Sequence, residues 1–88
     1  MKFVTLVKFR AKPTKETVAE NLKLMEREAK EGVKNLAVYW TLGRFDAVVI
    51  NEAPDEKALM KAMLRRGWAR TETLVAVPAE EARKLVEA

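Results

Sequence analysis

The chain has no cysteine, histidine, serine or glutamine. Without cysteine there is neither a disulfide framework nor a thiolate nucleophile. Without serine and histidine the usual hydroxyl nucleophile and its general base are excluded. Zinc, haem and iron–sulfur sites need histidine or cysteine in their usual forms, so no cofactor or metal is expected. Asp is scarce as well, with only Asp46 and Asp55 against eleven Glu. Lys and Arg are abundant, a balance that resembles a thermophile proteome. No apolar run approaches the ~18 residues of a membrane span. The first residues lead straight into a strand pattern, so no signal peptide is expected and the cytoplasm is the expected compartment.

What is present suits one small α+β domain over residues 1–88. The chain is 49% hydrophobic and 34% charged, with a net charge of +4. Its organising stretch is Tyr39-Trp40-Thr41-Leu42-Gly43-Arg44-Phe45-Asp46, followed by Ala47 to Ile50. Gly at the first central position of a two-residue loop suits a type II′ hairpin turn. A turn at Gly43-Arg44 sets Leu42 opposite Phe45, Thr41 opposite Asp46, Trp40 opposite Ala47 and Tyr39 opposite Val48. Alternation then puts Val38, Trp40, Leu42, Phe45, Ala47 and Val49 on one face. Tyr39, Thr41, Asp46, Val48 and Ile50 take the other. Both faces are largely apolar, so both need a cover. The chain's own helices cover one, and a second copy is expected on the other. A charge at Trp40 (Trp40→Glu) is the expected way to split such a dimer.

In chain order, Lys2 to Phe9 alternates as a strand. Thr14 is placed to cap a helix over Lys15 to Lys30, with Val18, Leu22, Met25 and Ala29 as its apolar stripe and Gly32 as its stop. Strands follow at Asn35 to Thr41 and Phe45 to Glu52. Asp55 caps a second helix from Glu56 to Arg66, with Leu59, Ala62 and Met63 inward and Met60 and Leu64 on a second apolar edge. A fourth strand covers Arg70 to Val77. A short final helix covers Ala79 to Glu87, with Ala82, Leu85 and Val86 on one side. This order is the ferredoxin-like βαββαβ pattern with an added helix. Right-handed crossovers make the four-stranded sheet antiparallel, in the order fourth, first, third, second.

These residues carry a resemblance to the GYD-domain family, a branch of the dimeric α+β-barrel proteins. It rests on Tyr39 to Asp46 with Val48 to Ile50, on Glu52-Ala53-Pro54-Asp55, and on Gly67 with Arg70-Thr71-Glu72-Thr73-Leu74. The family's name residues fall on Gly43 and Asp46. Phe45 stands where Tyr is usual, which removes a hydroxyl. The resemblance implies a homodimer with two sheets packed face to face.

Two constellations are candidate sites. Asp is disfavoured in strands, so Asp46 with Tyr39, Thr41 and Arg44 reads as a ligand-binding set, and Asp46 as a weak candidate for a catalytic base. The structural alternative is that Asp46 bonds Thr41 or the backbone and pins the turn. The topology also gathers Lys8, Arg10, Lys12, Arg44, Arg65, Arg66, Trp68 and Arg70 at one edge. Arg10, Arg66 and Arg70 there form a candidate anion-binding set for a small anionic ligand, against a solvated charged surface.

Three functions are consistent with the sequence. The first is a small-molecule-binding or structural homodimer joined through the sheet face. The second is a cofactor-free enzyme on a small carbonyl or aromatic substrate, with Asp46 as base. The third is an RNA-binding module. RNA-recognition motifs stack bases on sheet aromatics, and the third strand offers only Phe45, so nucleic acid is disfavoured.

Overall fold

The computed structural model describes residues 1–87. Four strands and three helices alternate as β1 (Lys2–Phe9), α1 (Lys15–Lys30), β2 (Lys34–Trp40), β3 (Ala47–Glu52), α2 (Glu56–Leu64), β4 (Ala69–Ala76) and α3 (Ala79–Glu87). The sheet is antiparallel throughout in the order β2-β3-β1-β4, the ferredoxin-like arrangement expected from the sequence. The helix starts are those the cap residues dictate. Thr14 Oγ1 accepts from the Thr17 N–H at 3.1 Å, and Asp55 Oδ1 from the Ala58 N–H at 2.8 Å. Gly32 ends α1 at φ +90°, where an added Cβ would also meet Pro54 Cγ at 3.0 Å.

The hairpin has the expected register, with Tyr39 opposite Val48 and Trp40 opposite Ala47. The Thr41 N–H still reaches Asp46 O at 2.9 Å. The regular ladder nevertheless stops at Trp40–Ala47, so residues 41–46 form a wider loop around Gly43 at φ +107°. Leu42 and Phe45 make no ladder pair.

Register also assigns the faces. Phe3, Thr5 and Val7 of β1 lie beside Asn51, Val49 and Ala47 of β3, and beside Val75, Thr73 and Thr71 of β4. This is the helix-facing side, because Phe3 clusters with Leu59 and Ala62 of α2, with Val33 and with Ala53. Val38 and Trp40 share it through their pairing with Val49 and Ala47. The open side carries Val4, Leu6, Ala37, Tyr39, Val48, Ile50 and Leu74. Trp40 therefore stands on the helix side, and a charge there does not probe the open face.

α1 departs from its expected stripe. Val18, Leu22 and Ala29 are exposed, while Thr17, Asn21 and Met25 are half-buried and Glu28 is only 2% exposed. The helix turns a largely polar line inward because Glu28 finds arginine partners beyond α2. α2 keeps its expected pattern, with Leu59 and Ala62 buried and Met60 and Leu64 exposed.

Candidate functional site

Asp46 sits where β3 begins, and its carboxylate is already engaged. Oδ2 accepts the Phe9 N–H at 2.8 Å, and Lys8 Nζ lies 3.6 Å from Oδ1. The Asp46 N–H donates to Val7 O at 2.8 Å. The residue thus fastens the end of β1 to the start of β3. Arg44 lies 5.7 Å from the Phe45 ring centre and makes no ion pair with Asp46. Thr41 Oγ1 donates to Phe45 O at 2.8 Å and braces the loop. Tyr39 is on the open face. Neither cleft between helices and sheet is lined by any of these four residues.

The arginine edge divides in two. Arg66 grips Glu28 with both terminal nitrogens, at 2.9 and 2.8 Å. Its Nε donates to Asn21 Oδ1 at 3.0 Å and its Nη1 to Ala62 O at 2.7 Å. Such a bidentate, well-shielded pair fixes geometry strongly. Arg65 holds Glu31 in the same way at 2.7 and 3.1 Å and touches Glu28 at 3.3 Å. The hydrogen bond from Arg65 lowers the Glu31 carboxyl from its ordinary 4.5 to about 2, and the same bond raises Arg65. Two adjacent arginines therefore clamp α1 to the end of α2. Arg10 and Arg70 have no ion pair among the described residues. Both line a cleft with Arg66.

A second cleft lies between α1 and the sheet. Its volume is about 300 Å³, and Phe9, Leu22, Met25, Val38, Trp40 and Trp68 line it. The Phe9 and Trp40 rings lie 5.4 Å apart at 57°, a tilted aromatic pair. Trp40 is 65% exposed although it faces the helix layer, because α1 leaves that corner of the sheet open. Asp46 acts here at one remove, since it holds the backbone of Phe9. Inward, the cleft adjoins a smaller cavity of about 80 Å³ that includes Thr5, Asn21, Glu28, Asn51 and Arg66. The Asn51 amide donates to Thr5 Oγ1 at 3.2 Å, and Thr5 and Thr73 hydroxyls meet at 3.4 Å. An apolar mouth thus leads to a polar end, the usual plan of a small-molecule site.

Nothing in the spacing of Trp40 and Trp68 along the chain joins them. Pairing Trp40 with Ala47, and the Arg10 N–H bond to Trp68 O at 2.9 Å, bring both to this corner. Among the described residues no three acidic side chains converge as a metal site needs, and no helix is long and apolar enough to cross a membrane.

A family model described as the GYD domain matches residues 3–86. Among solved structures, the chain is similar to the crystal structure of TTHA0845 from Thermus thermophilus. The identity is 23% and the TM-score 0.53, over 86% of this chain and 91% of that one. That likeness carries the fold alone. No curated protein matches the chain.

Proposed function

The chain belongs to the GYD-domain family, and from that premise we propose that it is a homodimeric domain that binds a small, largely apolar molecule between α1 and the sheet. One observation carries the ligand reading. Both tryptophans of the chain wall an apolar cleft that α1 does not close. A fully packed domain would bury Val38 and Trp40 at this position, and here both are exposed. About 300 Å³ suits a substituted ring or a pair of fused rings, at the small end of ligand sites. The dimer is supported by the open face, where Val4, Leu6, Val48 and Ile50 form an apolar centre on the side of the sheet opposite Phe3 and its helix contacts. Burying such a surface against a second copy is favourable by roughly 25 cal/mol per Å² before the costs of association.

The tryptophans supply the assay. Titration with the neutral dye N-phenyl-1-naphthylamine is expected to quench tryptophan emission in a saturable way, at one dye per chain. Leu22→Glu, at an exposed position on the cleft rim, is expected to abolish the quench while circular dichroism is unchanged. A linear, unsaturable response, or equal quenching in Leu22→Glu, would remove the α1 cleft as the site.

A further inference from the structure

We infer that α3 is a clasp, whose apolar side packs on a second copy of the chain and not on its own domain. The inference rests on the homodimer proposed above and adds the element that completes its contact. α3 stands apart from the other two helices. None of its residues is buried, and Leu85 and Val86 are 75% and 86% exposed. Glu81, in its first turn, lines a shallow groove with Met1, Lys2 and Val75 where β4 ends. The longest dimension of the molecule is 49 Å, well beyond the ~27 Å of an eight-residue strand, as expected of a helix that projects from the sheet. A helix of nine residues does not hold together in water by itself. Its exposed Arg83–Glu87 pair, at 3.4 Å, adds little. The helix therefore needs a surface to lie on. Helical spacing puts Ala79, Ala82, Leu85 and Val86 on one side, with Arg83, Lys84 and Glu87 opposite. A membrane surface fits it poorly, because Glu80, Glu81 and Glu87 outnumber its two cations and it has no aromatic residue.

A second copy fits because the sheet face is too small to hold a dimer by itself. Its apolar rows are two deep, one through Val4 and Ile50 and one through Leu6 and Val48. The rows beyond them are charged, with Lys2, Glu52 and Lys34 at one end and Lys8 and Arg70 at the other. Four strands ~4.8 Å apart, with ~7 Å for each apolar row, give a footprint of roughly 250 Å². The whole face, charged rows included, gives roughly 500 Å², whereas a stable interface takes about 800 Å² from each partner. α3 is about 13 Å long and ~10 Å wide. In a twofold pair each copy lends its own helix and receives its partner's, so the gain counts twice. α3 also leaves from β4, the strand that borders the open face. It therefore extends that contact instead of opening a separate one.

Dimers of mixed labelling test this directly. Equal parts of isotope-labelled and unlabelled full-length chain are mixed in urea and refolded. In an isotope-filtered spectrum, the Leu85 and Val86 methyl groups of the labelled chain are expected to show nuclear Overhauser contacts to protons of the unlabelled chain. In sedimentation equilibrium, Leu85→Glu/Val86→Glu is expected to weaken the dimer constant at least about 30-fold, because two apolar side chains lose their cover. Leu85→Met/Val86→Ile is expected to keep the wild-type constant. Unchanged amide shifts of β1 and β3 in the monomeric glutamate variant, against the monomer of Ile50→Glu, check that the domain is intact. A wild-type dimer whose Leu85 and Val86 contacts stay within their own chain would overturn the clasp and leave the dimer standing. An unchanged constant in the glutamate variant would do the same. A wild type that is monomeric at every concentration would remove the dimer, and the clasp with it.

Discussion

The helix-facing side of the sheet sets two buried polar residues, Thr5 and Asn51, beside Val49 and Phe3, whereas the open side carries Leu6, Val48 and Ile50, with Glu72 opposite Leu6. A lone domain that buries one face gains most by the reverse assignment, apolar under the helices and polar toward water. Polar groups under a helix layer cost free energy unless they are bonded. Here they bond mainly to one another, through contacts of 3.2 and 3.4 Å. The covered face is therefore the one equipped for specific polar contacts, and the open face the one equipped for non-directional burial. The difference separates the two roles proposed above: recognition of a small molecule beneath the helices, and association on the other side.

The largest expected effect comes from the open face. Ile50→Glu puts a charge beside Val4, and its expected consequence is a fall from the mass of the proposed dimer to the 10.0 kDa chain mass in light scattering. The dimer constant should weaken by at least about 100-fold. A variant that keeps the wild-type mass breaks the assignment of that face. Next in size is the covered side. Glu28→Ala strands Arg66 without its partner and should cost about 3–5 kcal/mol in urea unfolding. Glu28→Leu combined with Arg66→Leu should recover much of that loss, because an apolar pair of similar bulk often replaces a shielded ion pair without penalty. If the double variant is no more stable than Glu28→Ala, the inner face needs its charges for more than packing. The smallest effect is on pH. The Glu31 carboxyl is held near 2 in the folded chain against an ordinary 4.5. Its contribution is thus present above about pH 4.5 and disappears as pH falls toward 2, where both states bind the proton. Glu31→Gln should flatten that part of the stability curve, and an unchanged slope would mean that the Arg65 contact is solvated away.

Much of this architecture is legible in the sequence, for local reasons. Gly43 marks the loop, alternation around it fixes Tyr39 against Val48, and Thr14 and Asp55 announce the two helices they cap. The order of strands follows from handedness. What the letters hide depends on partners distant in sequence. A stripe drawn through Val18, Leu22 and Ala29 looks inward on hydrophobicity alone, yet α1 rotates to bury Glu28 because Arg66, well beyond the next two strands, reaches it. The same contact engages Arg66, one of the three arginines the sequence offers as an anion-binding set. Asp46 stands out in the sequence as an odd residue in a strand. Its partner is a backbone N–H at Phe9, and backbone groups leave no signature in composition.

β1 lies between β3 and β4, and its pairing with β4 brings Lys2 against Ala76. During synthesis this first strand emerges long before either neighbour exists. The β2–β3 hairpin can form early because its partners are close in sequence, but β1, one of the two inner strands, completes its pairing only with β4, the last of the four strands in chain order. A sheet closed by such distant pairings folds more slowly than its small size suggests, since loop closure precedes the gain from contact. Through that interval the alternating apolar residues of β1 are an unpaired edge open to other nascent chains. Lys2 and Lys8, which bracket it, give this segment charged ends that discourage premature strand-to-strand association.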